Sequence, residues 1–190
     1  MANSNSNNDA DIAHITGNAP AHVKRALSDH RPILGNRFKE HIPGPIFFEV
    51  IQDRFRMTEL SIINSEGSDG NLEARVVVEL DVEEDMLNGK GEMHTGCSAS
   101  LIDMGSTLPL HALAIAKGIE QYVSVSQTMN VMYHSPARLG DKLKLINTTI
   151  ILEGDAHCAK TEIWNASRGG LVASGSQIKM VPSRLPPQKL

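Results

Sequence analysis

Residues 95–116 read TGCSASLIDMGSTLPLHALAIA, and Asp103 is their one charged side chain. A helix that is apolar around most of its circumference is buried on most sides. The stretch allows about six turns at 3.6 residues each, and Gly118 stands where such a helix ends. Pro109 opposes the carbonyl of Gly105 and removes one helical hydrogen bond, so a kink or a break is expected there. A carboxylate inside such a segment must find a partner or serve a purpose. Asp103 is therefore the first candidate for chemistry.

Working outward, the flanking segments have a period of two. In LEARVVVELDV, Leu72, Ala74, Val76, Val78, Leu80 and Val82 alternate with Glu73, Arg75, Glu79 and Asp81, the pattern of a half-buried antiparallel strand. MTELSII (57–63) is its expected partner through the turn-rich NSEGSDGN. After the helix, QYVSVSQTMNVMYH (121–134) alternates, with Val123, Val125, Met129, Val131 and Tyr133 on one face and Ser124, Ser126, Thr128 and Asn130 on the other. DKLKLINTTIILE, HCAKTEIWN and LVASGSQIKMV follow as strands, the last two joined by ASRGG. Two strands, one buried helix and four more strands make an α+β protein. Its curved antiparallel sheet must wrap the helix, which is the hotdog fold.

The remaining chain divides by composition. A disordered polar tail is expected over 1–19 and a helical extension over 20–55, with Pro20 opening a short helix. The hotdog domain spans 56–182, and a Pro-rich tail 183–190. At 190 residues and a net charge of -4, nothing points to nucleic acid. Asp103 and Pro109 argue against a membrane span. Cys97 and Cys158 suit a reduced, cytoplasmic protein. The C-terminal QKL differs from the peroxisomal SKL address at Gln188 and leaves that compartment, like the mitochondrion, without a clear signal. The eight His show no metal spacing, so no metal and no cofactor are expected.

LNGKGEMHTGCSASLIDMGSTLPL, VSVSQTMNVMYHSPARLGDKL and GLVASGSQIKM together resemble the hotdog acyl-CoA thioesterases of the PaaI-like type, over roughly residues 57–181. The resemblance implies hydrolysis of an acyl-CoA to free acid and coenzyme A. It implies that Asn88 and a helix-start N–H, at Thr95 or Gly96, polarise the thioester carbonyl. Asp103 and Ser126 then hold or activate the attacking water. It also brings His94, Ser135, Pro136 and Arg138 to the substrate, with coenzyme A as part of that substrate. The family reads His-Gly-Gly where this chain has His94-Thr95-Gly96, and a Thr side chain either crowds the thioester or demands another φ.

The chemistry stands on its own terms as well. Thioester hydrolysis needs donors at the carbonyl oxygen and a base at the carbon, and a helix N-terminus supplies free N–H groups. Thr95 and Asp103 lie about 12 Å apart along a helix axis, too far to act on one carbonyl. The donors are therefore expected from one subunit and Asp103 with Ser126 from its neighbour, across the interface of a homodimer or a dimer of dimers. Two rival functions use the same fold: a hydratase or dehydratase on acyl thioesters, and a non-enzymatic acyl-CoA sensor.

Overall fold

The computed structural model describes residues 11–34, 42–64, 71–119 and 122–182. The alternating segments become six strands: β1 Arg56–Asn64, β2 Leu72–Asp81, β3 Val125–Tyr133, β4 Lys142–Glu153, β5 Ala156–Asn165 and β6 Leu171–Met180. All pairs are antiparallel, in the order β1-β2-β4-β5-β6-β3. The helical segments are α1 Ala21–Ser28, α2 Glu49–Gln52 and α3 Thr95–Ala116. The fold is the expected hotdog: the sheet packs around α3, which touches β2, β3, β4, β5 and β6.

Why α3 sits there follows from its sequence. Leu101, Ile102, Leu108, Leu110 and Leu113 are fully buried among strand residues such as Val76, Leu145 and Ile163. Its length and composition alone would let it cross a membrane; the sheet makes it a core helix instead. Two glycines set the approach of helix and sheet. A Cβ on Gly105 would lie 2.4 Å from Asn147 Oδ1, and one on Gly175 would lie 2.9 Å from Ile102 Cγ2. Pro109 does not break α3, which runs unbroken across it; packing on several sides outweighs one missing hydrogen bond. At the far end Gly118 takes φ +74°, its N–H bonds to Ile115 and that of Ile119 to Ala114. That is a Schellman stop.

The tail and extension differ from expectation. Residues 1–10 and 183–190 lie outside the described residues, but residues 11–19 are ordered against β1. Thr16 donates its N–H to Thr58 and accepts from Leu60, and Ile12 and Ile15 are buried. Their apolar spacing was hidden by Asn- and Ser-rich surroundings. The segment covers hydrogen-bonding groups that an edge strand would otherwise expose. The boundary at residue 55 is not a break in packing either, because Val23 and Leu27 of α1 join the core that holds α3.

Candidate active site

The first half of the site lies where the loop after β2 enters α3. Arg54 ties this loop down through ion pairs to Glu83 and to Asp85, the latter at 2.8 Å. Asn88 then turns on itself: its Oδ1 accepts from the N–H of Lys90 at 2.8 Å and of Glu92 at 3.3 Å. This aims the remaining Nδ2 donor away from the turn. His94 is the N-cap of α3, its Nδ1 accepting from the N–H of Gly96 at 2.9 Å, which leaves the ring hydrogen on Nε2. The His94 carbonyl takes the N–H groups of Cys97 and Ser98. Of the four N–H groups that a helix start leaves open, that of His94 goes to the Met86 carbonyl and those of Gly96 and Cys97 to His94, and that of Thr95 has no partner among the described residues. Gly96, the other expected donor, is thus engaged by the cap. Thr95 fits without strain, since it is absent from the residues with positive φ.

Asn88 and Thr95 line a cavity of about 260 Å³ with Ser98, Tyr133, Ser135 and Pro136. Ser135 is pinned by its Oγ to the Leu171 carbonyl at 2.6 Å. The following turn is held by Asp141, buried, which accepts from the Arg138 N–H, Asn165 Nδ2 and Arg168 Nε at 2.9, 2.8 and 2.7 Å. Burial pushes the Asp141 carboxyl up, but these donors outweigh it and hold it below the usual 3.8. Arg138 itself is exposed, with no partner for its guanidinium among the described residues.

The second half centres on Asp103, two turns into α3. Its Oδ1 accepts from Ser126 Oγ at 3.0 Å and from Gln177 Nε2, and lies 3.6 Å from Lys179 Nζ. Gln177 and Lys179 also donate to Ser126 Oγ, at 2.8 and 3.1 Å. The Asp103 Oδ2 receives no hydrogen bond among the described residues, and the side chain is 36% exposed. The carboxylate therefore has both a partner and an open oxygen. Lys179 is 5% exposed; burial lowers its pKa from the ordinary 10.5, against the pull of Asp103.

A β-bulge puts Ser126 there. The simple alternation sets Ser126 opposite Met129, Val131 and Tyr133. In the structure Ser126 pairs with Lys179 and Thr128 with Ile178, so Gln127 is an extra residue and the faces exchange. Cross-strand partners share a face, so Ser126 joins Lys179, Met129 joins Gln177, and Val131 joins Gly175 on the side of α3. Val125 pairs with Met180 on the other side. The expected apolar row is thus split, and β3, at the sheet edge, leaves Val125, Met129, Met132 and Tyr133 exposed. Gln177 and Lys179 escaped the sequence reading. Their signal was their register, two and four residues beyond Gly175 on the buried side of β6.

Asp103 opens into a cavity of about 410 Å³ with Met104, His111, Tyr122 and Lys179. It shares no lining residue with the cavity of Asn88 and Thr95. One chain therefore builds both halves of the expected site but does not bring them together. Cys97 is no rival nucleophile: burial, with the charge of Asp85 adding to it, pushes its thiol up to about 12.

Sequence and structure comparisons identify the family. A family described as Thioesterase superfamily matches residues 90–171. Human acyl-coenzyme A thioesterase 13 is 33% identical over 106 residues, which cover 55% of this chain and 71% of that protein. The crystal structure of zebrafish thioesterase superfamily member 2 superposes with a TM-score of 0.59 at 21% identity, covering 84% of this chain and 98% of that one. A hypothetical thioesterase protein from Streptococcus pneumoniae TIGR4, crystallised with coenzyme A, gives 0.53 at 20% identity over 69% of this chain and 88% of its own. The chain belongs to the thioesterase superfamily. It is a thioester hydrolase.

Proposed function

We propose that this enzyme hydrolyses acyl-CoA thioesters to free acid and coenzyme A, at a site completed by a second copy of the chain. The observation that carries the reading is the pair of half-sites on α3. Oxyanion donors stand at its start and a hydrogen-bonded carboxylate two turns along, and they face different cavities. The relative named acyl-coenzyme A thioesterase supports the substrate, as does the exposed Arg138 beside Ser135 and Pro136, suited to coenzyme A phosphates.

The second copy is supported by the sheet edges. Residues 15–19 cover β1, whereas among the described residues β3 pairs only with β6 and exposes apolar side chains along an open edge. Such an edge invites pairing with the same strand of a symmetry mate. The enzyme is then a homodimer, with β3 against β3.

In this arrangement Asn88 Nδ2 and the Thr95 N–H bind the thioester carbonyl oxygen, aided by the helix dipole. Asp103 of the second copy takes a proton from water through Oδ2 while the water oxygen bonds to the carbonyl carbon. The tetrahedral oxyanion collapses, the C–S bond breaks, and the proton held by Asp103 passes to the departing sulfur. Ser126 orients the water, and Gln177 and Lys179 hold the Asp103–Ser126 pair in place. His94 shapes the donor end by capping Gly96.

The test is thiol release from short, long and aromatic acyl-CoAs by wild type and Asp103→Ala. Turnover should fall by about 10²-fold or more in the variant. A variant that keeps wild-type turnover would remove Asp103 from the chemistry.

A further inference from the structure

The chain that precedes the hotdog domain reaches the cavity of Asp103. Pro32, Ile33 and Leu34 line that space together with Asp103 and Lys179. Contacts along the whole segment hold them there. Thr16 and Ala19 bond to β1, and Lys24 of α1 donates its Nζ to the carbonyls of Ile15 and Gly17 at 2.7 and 2.9 Å. His30, 9% exposed, donates from Nε2 to the Gln52 carbonyl at 2.9 Å, with its ring 5.6 Å from that of Phe55. The His30 carbonyl accepts in turn from the N–H groups of Ile33 and Leu34, both at 3.0 Å. Gln52 passes the anchorage to α3, since its Nε2 lies 3.4 Å from the Sδ of Met104, the neighbour of Asp103. Residues 30–34 are thus a short strap pinned at His30, with Leu34 buried and Ile33 half-buried.

The strap matters to the chemistry through the groups it lacks. His111, Tyr122 and Lys179 give the cavity polar groups, whereas the side chains of Pro32, Ile33 and Leu34 neither donate nor accept. A water beside the strap therefore turns toward the polar side, where Asp103 Oδ2 receives no hydrogen bond among the described residues. An apolar cover also excludes the solvent that would screen Lys179 from Asp103 and Ser126, 3.6 and 3.1 Å away.

We propose that residues 30–34 are a positioning element of the active site, which holds the attacking water on Asp103 and keeps the Lys179–Asp103–Ser126 cluster dehydrated. The proposal rests on the role given to Asp103 above. The test uses Leu34→Ser, Ile33→Ser and the conservative Leu34→Met in the full chain, with folding checked by thermal unfolding. One readout needs no turnover: the pH profile of Lys179 labelling by acetic anhydride, followed by mass spectrometry. Lys179 faces Asp103 and His111 of α3, Tyr122, and His157, its pairing partner on β5. Burial is the larger influence on its pKa and lowers it. Opening the strap rehydrates the ammonium, so both Ser variants should move the labelling midpoint up toward the ordinary 10.5. The other readout is thiol release. In the Ser variants kcat should fall about tenfold with little change in KM, because the strap orients water rather than the thioester. Leu34→Met should match wild type in both readouts. A midpoint that stays in place in the folded Ser variants, or one that moves while kcat does not, overturns the proposal. If Leu34→Ser does not fold, Ile33→Ser decides alone. If wild type releases thiol from no acyl-CoA, the substrate reading fails, and the labelling midpoint still upholds or overturns the strap.

Discussion

Lys179 is the residue whose position asks most for a reason. An ammonium that is 5% exposed is costly to bury, and this one is spent on Asp103 and Ser126. The groups facing this cluster among the described residues are Gln177 on its own strand, Asp103 and His111 from α3, Ser126 from β3, and Tyr122. If the charge on Lys179 holds the pair, activity must fail when it is lost. Its pKa is depressed, so rising pH removes the proton below the ordinary 10.5. Tyr122 is displaced the other way, upward from its ordinary 10.0, by burial. kcat/KM should therefore fall on the alkaline side below pH 10.5, and Lys179→Arg, which stays protonated, should move that limb upward. Lys179→Met should lower activity and abolish the limb. An alkaline limb identical in all three proteins would assign Lys179 a structural role only.

At the scale of elements, the turn after β3 shows how a surface loop is made rigid. Asp141 gathers three donors, from the β3–β4 connection, the end of β5 and the β5–β6 connection, so Ser135 and Pro136 are presented from a fixed frame. Asp141→Ala leaves those donors unpaired and should cost about 3 kcal/mol of unfolding free energy. The pH dependence has a definite sign. With a folded pKa below 3.8, the unfolded state binds the proton first. The stabilisation is complete above the unfolded value and is lost as pH falls through the folded one. Denaturant unfolding between pH 7 and pH 3 should show this acid loss in wild type and a flatter response in Asp141→Ala. Parallel curves would dismiss Asp141 as the source. The start of α3 is built by similar means: the His94 ring and carbonyl accept the N–H groups of Gly96, Cys97 and Ser98, and that of Thr95 is left open among the described residues.

For the whole molecule, the proposed site joins the Asn88 cavity of one copy to the Asp103 cavity of another, and that proposal has a direct test. Asn88→Ala and Asp103→Ala are each expected to be inactive alone. Random mixing makes half the dimers hybrid, each with one intact site, so roughly a quarter of wild-type activity should return. Verified hybrids without activity would exclude a shared site. Disrupting β3 pairing with Met132→Lys should convert dimer to monomer in sedimentation.

Much of this architecture was legible in the chain, because period-two alternation and an apolar run with one charge are local properties. The strands, α3, its Gly118 stop and the Asn88, Thr95 and Asp103 positions all follow from short-range pattern or from family resemblance. Other features required the folded protein. The Gln127 bulge reverses a face that alternation had assigned, and no composition reports an extra residue in a register. Gln177 and Lys179 lie more than seventy residues from Asp103, so only the packing of β6 against α3 brings them to it. The order of residues 11–19 depends on an exposed edge of β1, and the persistence of α3 through Pro109 on a sheet wrapped around it. Local sequence sets what each segment can be; contacts distant in the chain decide which side chains meet.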